Sequence, residues 1–391
     1  MFAGVDVGSS SIVVCWAIER PTQIRESYRD FANFREFDLK SIDALKSLGI
    51  TKAFLEPTGW HYARLWISIL ERSGADVCLV GHGELLSYRK FLDLPDKDDR
   101  ADALALLCYG FDFEGVTGRF LFRRDADCQK LRDFYFRLGF YARLRTSLIN
   151  RLRQDLKYQF PEISNVYLGR KTYGNTPLAV RWLSGEEESQ DYESSLACSV
   201  GEGLHCDDTI FMAELLYDIF EQERWIEDRI TDIFRLEKFV PYLEVLQEFK
   251  MGNLRTAAFI ISQVFPLDCF LGDNGRPIVE KRLTENGNLA TRRLSEARFK
   301  SRMGAAPSRE FSGKSRRFRK RGSREARIVL WRWFHTIIEI RKNRPASEVG
   351  QKVVRLWEDG KESGMPVKKL RAKCRSVAMA LLFRRLCDKL L

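Results

Sequence analysis

The chain of 391 residues has only four histidines, and its nine cysteines never fall in a C-x-x-C spacing. That poverty excludes the common structural zinc motifs and thioredoxin-type redox chemistry. The single cluster His205-Cys206-Asp207-Asp208 lacks a second ligand pair and is not read as a zinc site. Cys15, Cys78 and Cys108 lie in apolar runs, as reduced core thiols of a cytoplasmic protein do. Long hydrophobic runs are lacking too. The stretch near Ala257 to Leu267 is interrupted and well short of the roughly 20 residues of a membrane span. The chain enters a strand pattern by its third residue without a basic-then-apolar leader, so no signal peptide is expected. A hydrophobic content of 45 % can build real cores, and the length suits two or three domains.

Net charge is missing from most of the chain and concentrated in one place. Lys and Arg number 65 against 54 Asp and Glu. Between Arg292 and Arg327 fourteen Lys or Arg face three Glu, which accounts for the whole excess of +11. Phe299, Phe311 and Phe318 are interleaved with these cations. A localised basic segment of this kind is the electrostatic footprint of a phosphate-backbone binder, because each neutralised phosphate releases counterions. The candidate contacts are Arg309, Lys314, Arg316, Arg317, Arg319, Lys320, Arg321 and Arg324. The competing reading is a solvated basic loop, and the Gly, Ser and Pro of the segment do favour a loop.

Four acidic residues carry the chemistry. Asp6 lies in FAGVDVGSSSIVV, an apolar run that turns tightly at Gly8 into a second strand over Ile12 to Trp16. Glu56 ends the run Ala53-Phe54-Leu55, and Pro57 stops that strand. Asp99 and Asp102 stand three apart at the start of a helix continued by Leu104, Leu106 and Leu107, so both can project from one face. Four carboxylates brought together repel unless a divalent cation lies between them. Such a site suits metal-dependent phosphodiester chemistry, in which two ions about 3.5–4 Å apart hold the attacking and leaving oxygens.

Each acid also has a plainer reading. GVDVGSS fits the phosphate loop of actin-like ATPases and sugar kinases, but no second phosphate loop or glycine-rich adenosine segment follows. Glu56 alone reads as a strand-end surface residue. Asp99 and Asp102 alone read as first-turn acids favoured by the helix dipole. Asp98 adds a third acid beside them and is the main ambiguity of the set.

In order and spacing the four acids resemble the ribonuclease-H-like fold of RuvC-type resolvases, and more closely the IS110-type (IS110/IS1111) transposases, the DEDD recombinases. That family's G-x-D-x-G, E-x-T/S-G and K-T-D-x-x-D-A segments read here as GVDVGS, EPTG and KDDRADA. Its later G-L-x-P-x-x-x-S-G segment and basic stretch read as GAAPSREFSG and KSRRFRKRGSR. The resemblance covers about residues 1–160 and 240–340. It implies Mg²⁺ or Mn²⁺ held by Asp6, Glu56, Asp99 and Asp102, and Ser312 as the nucleophile that forms a covalent serine–DNA intermediate. DNA, a structured bridge RNA and a homo-oligomer are the partners it implies. Phe311 replaces the first of two serines common in relatives, and Ser308 and Ser315 are the alternative nucleophiles. Two other classes use the same residues: a resolvase-like nuclease with water as nucleophile, and a nucleic-acid binder without catalysis.

The expected organisation is a RuvC-like α/β domain over about 1–125, a mixed five-stranded sheet flanked by helices. A helical connector follows over 126–238, then a mainly α-helical transposase domain over 239–345 and a helical tail over 346–391. Leu131, Tyr135, Leu138, Ala142, Ile149, Leu152 and Leu156 predict one long amphipathic helix ended by Pro161. Met212, Ile219, Ile226, Ile230 and Ile233 predict a second, paired with the first in one chain or between protomers. The acidic, Ser- and Gly-rich stretch 183–208 reads as a loop or insertion.

Overall fold

The structure is a computed structural model. It describes the chain except residues 31–32, 58, 95–97, 117, 205–206, 284–286, 288, 307, 313–314 and 320–321, with backbone alone at 60, 308–312 and 315–319. The chain divides into two units, Met1–Arg123 and Arg124–Leu391.

The first unit holds a five-stranded mixed sheet of order β3-β2-β1-β4-β5. Strand β1 (Phe2–Val7) turns back into β2 (Ser11–Ala17), the turn closed by Gly8 N–H donating to Ser11 O at 2.9 Å. Helix α1 (Ile24–Arg29), β3 (Phe34–Asp38) and α2 (Ile42–Ser47) follow. Next come β4 (Lys52–Leu55), α3 (Trp60–Arg72), β5 (Asp76–Leu79), α4 (His82–Phe91) and α5 (Asp99–Phe113). The first three strands pair antiparallel, while β4 runs parallel to both β1 and β5. This is the ribonuclease-H-like sheet that the order of acidic segments implied.

Strand alternation separates two cores. Ala3, Val5, Ala53 and Leu55 pack on one face with Trp66 and Leu70 of α3. On the other face Phe54 packs with Leu104, Leu107 and Tyr109 of α5. Helix α5 is buried all round from Ala101 to Gly110, each enclosed leucine contributing about 1.5–3 kcal/mol. It lies so close to β1 that a Cβ on Gly4 would overlap the carbonyl oxygen of Ala103. At its other end a Cβ on Gly110 would overlap the ring of Phe54. Two glycines, one on the strand and one on the helix, thus set how deeply α5 beds on the sheet.

In the second unit α6 (Ala126–Gln159) is one helix of 34 residues, capped by Asp125, whose side chain accepts from Cys128 N–H. Helices α7 (Leu178–Leu183) and α8 (Gln190–Ala197) precede α9 (Asp207–Phe234). The stripe of α6 packs on α9 within the same chain, through Leu131, Leu138, Ile226 and Ile230 near one end. Leu152, Leu156, Leu216 and Phe220 form a separate cluster at the other. Within the stretch 183–208, which reads as a loop or insertion, residues Gln190–Ala197 form helix α8. Tyr192 packs its ring on Trp182, and Trp182 Nε1–H donates to Glu193 at 2.8 Å, giving an acidic sequence a place to dock.

Buried charges lock α9 to its neighbours. Glu223 and Glu227 are fully enclosed and compensated by Arg145 at 2.6 Å, Arg170 at 2.9 Å and Arg255 at 3.4 Å. Each acid lies within 4 Å of at least two of these arginines, so removing one arginine under-compensates a buried carboxylate without leaving it unpaired.

Helices α10 (Val240–Glu248) and α11 (Leu254–Val264) build the C-terminal core, together with α12 (Leu294–Arg302), which follows the ribbon β6 (Val279–Leu283) and β7 (Leu289–Arg293). A hairpin, β8 (Ser308–Ser312) with β9 (Ser315–Arg319), precedes α13 (Arg324–Trp333). Helix α13 passes into a π-turn at Phe334–Ile338, and α14 (Glu348–Glu362) and α15 (Val367–Leu390) close the unit. Among the described residues no helix is long and apolar enough to cross a membrane, and the described cysteines are unpaired.

Candidate active site

The four acids come together at one end of the sheet. The parallel register ends at Val5↔Leu55, and Asp6 and Glu56 each stand one residue beyond that pair. Open α/β sheets bind ligands at this carboxyl edge. Asp6 shares the face of Gly4, two residues earlier, and that face is the one covered by α5. The glycine contact brings the first turn of α5 down to it, so Asp99 and Asp102 join Asp6 and Glu56 around a cavity of about 400 Å³. Asp98 has a different part: it accepts from Tyr28 Oη–H at 2.7 Å and does not line the cavity.

A histidine and an arginine also line the cavity, and the sequence alone did not point to either. Helix α4 starts at His82, directly after the third parallel strand, and Nδ1 of His82 lies 2.9 Å from Glu56 Oε1. Two turns later Arg89 donates through Nη1 to Asp102 Oδ1 at 2.7 Å. The i, i+7 spacing after a strand end was visible in VGHGELLSYRKF, but only the fold shows that it points back at the acids.

The electrostatics of the cavity favour a cation. Burial first, and then the charges of Asp99, Asp102 and Glu56, push the Asp6 carboxyl up from 3.8 to about 7. Glu56 and Asp102 are themselves almost enclosed. Among the described residues no three His, Cys, Asp or Glu side chains form a ready cage for an ion. Two of the four acids are instead held by Arg89 and His82. An all-oxygen, strongly anionic donor set nonetheless fits a hard divalent cation such as Mg²⁺ or Mn²⁺ and does not fit a soft one. Asp6, Glu56, Asp99 and Asp102 are the residues that would hold it.

A transposase family model described as DEDD transposase of IS110 type matches residues 3–161. A second, described as transposase of the IS116/IS110/IS902 family, matches residues 280–349. The chain belongs to the IS110-type transposases. It is therefore a DNA-recombining enzyme with DNA as its substrate, and its DEDD class implies use of a divalent metal. No curated protein matches the chain.

The remaining residues singled out from the sequence of this transposase fall in the second unit. Ser312 is the last paired residue of β8, opposite Ser315. Ser308 pairs with Arg319, Arg309 with Phe318, Glu310 with Arg317 and Phe311 with Arg316. The segment, whose Gly, Ser and Pro favour a loop, is thus paired as a two-stranded ribbon, and Arg324 opens α13 behind it. Lys314, Lys320 and Arg321 lie outside the described residues, as do His205 and Cys206.

Proposed function

We propose that the transposase cleaves and rejoins DNA strands with Ser312 as nucleophile and a divalent cation, Mg²⁺ or Mn²⁺, held by Asp6, Glu56, Asp99 and Asp102. The observation that carries the reading is the convergence of the four acids on one cavity at the carboxyl edge of the sheet. Bound there, the cation would polarise the scissile phosphate and stabilise charge on the attacking and leaving oxygens. The resemblance to IS110-type enzymes assigns Ser312, and the ribbon around it is rich in arginine, the side chain best suited to hold a phosphate.

In this reading Ser312 Oγ attacks phosphorus. The new O–P ester forms as one P–O bond of the strand breaks, the serine proton is lost to a base, and the leaving strand ends as a hydroxyl. Attack by the hydroxyl of another strand reverses the exchange and frees the serine. One phosphodiester is exchanged for another at each step, so no ATP is required. The family resemblance also supports a bridge RNA that names the DNA sites, and a homo-oligomer in which the acids of one protomer serve the serine of another.

The test is a covalent adduct. Incubation with RNA and a cognate DNA bearing a trapping nick should give a protein–DNA species that survives denaturant and disappears with protease. Ser312→Ala should abolish it while DNA binding persists. Cleavage by Ser312→Ala through a water-derived product would make the chain a resolvase-type nuclease. An adduct abolished only in Ser308→Ala or Ser315→Ala would move the nucleophile.

A further inference from the structure

We propose that a groove between α6, the start of α11 and α13 binds the phosphodiester backbone of a nucleic acid, separately from the β8–β9 ribbon. The proposal rests on reading the chain as a nucleic-acid recombinase and adds a second binding site to it. The groove measures about 750 Å³, and among its lining residues are Gly139, Arg143, Arg255, Glu325 and Arg332.

Three observations point to an anionic chain as its occupant. Arg143 and Arg332 are exposed and make no ion pair among the described residues. Elsewhere in the unit Arg145, Arg151, Arg170, Arg371 and Arg385 are each held by a carboxylate. Glu325, the acid of the groove, accepts from Tyr135 Oη–H at 2.7 Å, so it is tied to the wall and not to either of these two arginines. Arg255 reaches the groove from the buried Glu223 and Glu227 cluster, at 3.4 Å and 3.7 Å from those acids.

The third observation is Gly139. It sits in the interior of the 34-residue helix α6, where glycine is destabilising relative to alanine. Apart from the helix's own backbone, no described atom lies within 4 Å of the position its Cβ would take. Packing inside the chain therefore gives no reason for a glycine there. A ligand backbone passing close to the helix, between Arg143 one turn along and Arg332 on the facing wall, does give one. The α13 wall also continues directly from the basic segment that carries the whole net charge, so a strand held by the ribbon has a cationic path along the chain.

The full-length protein is titrated with a labelled duplex DNA and, separately, a labelled single-stranded RNA over a range of salt. Arg143→Gln with Arg332→Gln should lower the salt slope by about 0.9 on the duplex, or about 0.7 on the single strand, for every phosphate these arginines neutralise, and the probe that responds identifies the ligand. Gly139→Ala should raise the melting temperature yet weaken the same probe, and Gly139→Phe should weaken it further. Native melting with unchanged slopes on both probes overturns the groove alone, since wild-type binding then stands. So does a changed particle mass by light scattering with binding intact, which would make the groove an interface between copies. A wild-type protein that binds neither probe overturns this proposal and the recombinase reading together.

Discussion

Arg89 holds Asp102 inside the acidic cavity: Nη1 and Oδ1 are 2.7 Å apart, and the two side chains are only 12 % and 9 % exposed. A cation of the protein's own thus already occupies one edge of the site. Arg89→Gln should lower the melting temperature in EDTA, since breaking an enclosed pair costs about 3–5 kcal/mol. It should also enlarge the rise in melting temperature that Mn²⁺ produces, because Arg89 then no longer competes with the ion for Asp102. An equal Mn²⁺ increment in wild type and variant would show that Arg89 and the ion do not share Asp102.

Asp6 gives the site a pH signature. Its carboxyl is pushed from 3.8 to about 7 by burial and by the other three acids. Between those values the folded protein holds a proton that the unfolded chain has released, so metal-free stability should fall as pH rises from about 4 to about 7 and level off above it. Asp6→Asn removes that titration. In EDTA the variant should melt higher than wild type at pH 8, and it should lose the stabilisation by Mn²⁺ and all strand cleavage. Parallel melting profiles for the two proteins across this range would dismiss the buried-carboxylate account.

Gly4 decides whether the acids meet at all. Gly4→Ala sets a Cβ against the Ala103 carbonyl, and the strain of overpacking, about 1–3 kcal/mol, should appear in denaturant melts. Because α5 must lift from β1 to relieve it, Asp99 and Asp102 move away from Asp6, and Mn²⁺ affinity should fall more than tenfold. A variant with wild-type Mn²⁺ affinity would mean that the helix adjusts without moving its first turn.

The contrast between Gly4 and Arg89 shows where the sequence stops being readable. Asp6, Glu56, Asp99 and Asp102 each carry a local mark, a strand end or a helix start, so their placement follows once the strand order is inferred. The stripes of α6 and α9 are legible for the same reason, as 3.6-residue periodicity is a local signal. His82 and Arg89 carry no mark of their own. Their role depends on α4 facing the carboxyl edge of the neighbouring strands, which is a tertiary fact. The ribbon at Ser308–Arg319 was hidden differently. Its cross-strand pairs set Arg309 against Phe318 and Arg316 against Phe311, and in a run so rich in arginine the alternation of a strand reads as the polarity of a loop.

That ribbon yields the last prediction. Arg316, Arg317 and Arg319 lie on β9, opposite Phe311, Glu310 and Ser308, and belong to the segment that carries all of the net charge. Replacing the three with glutamine leaves the backbone ladder unchanged, because the strand pairs through peptide groups and not through guanidinium groups. If they hold DNA phosphates, affinity for unrelated duplexes should drop alike, and the slope of log affinity against log salt should flatten by up to about 0.9 for each phosphate no longer neutralised. Binding to different sequences should weaken in parallel, since a phosphate contact carries no base information. An unchanged slope would reduce the ribbon to a solvated surface. A weakening confined to one sequence would instead assign these arginines to base edges, where each bidentate pair discriminates by about 1–3 kcal/mol.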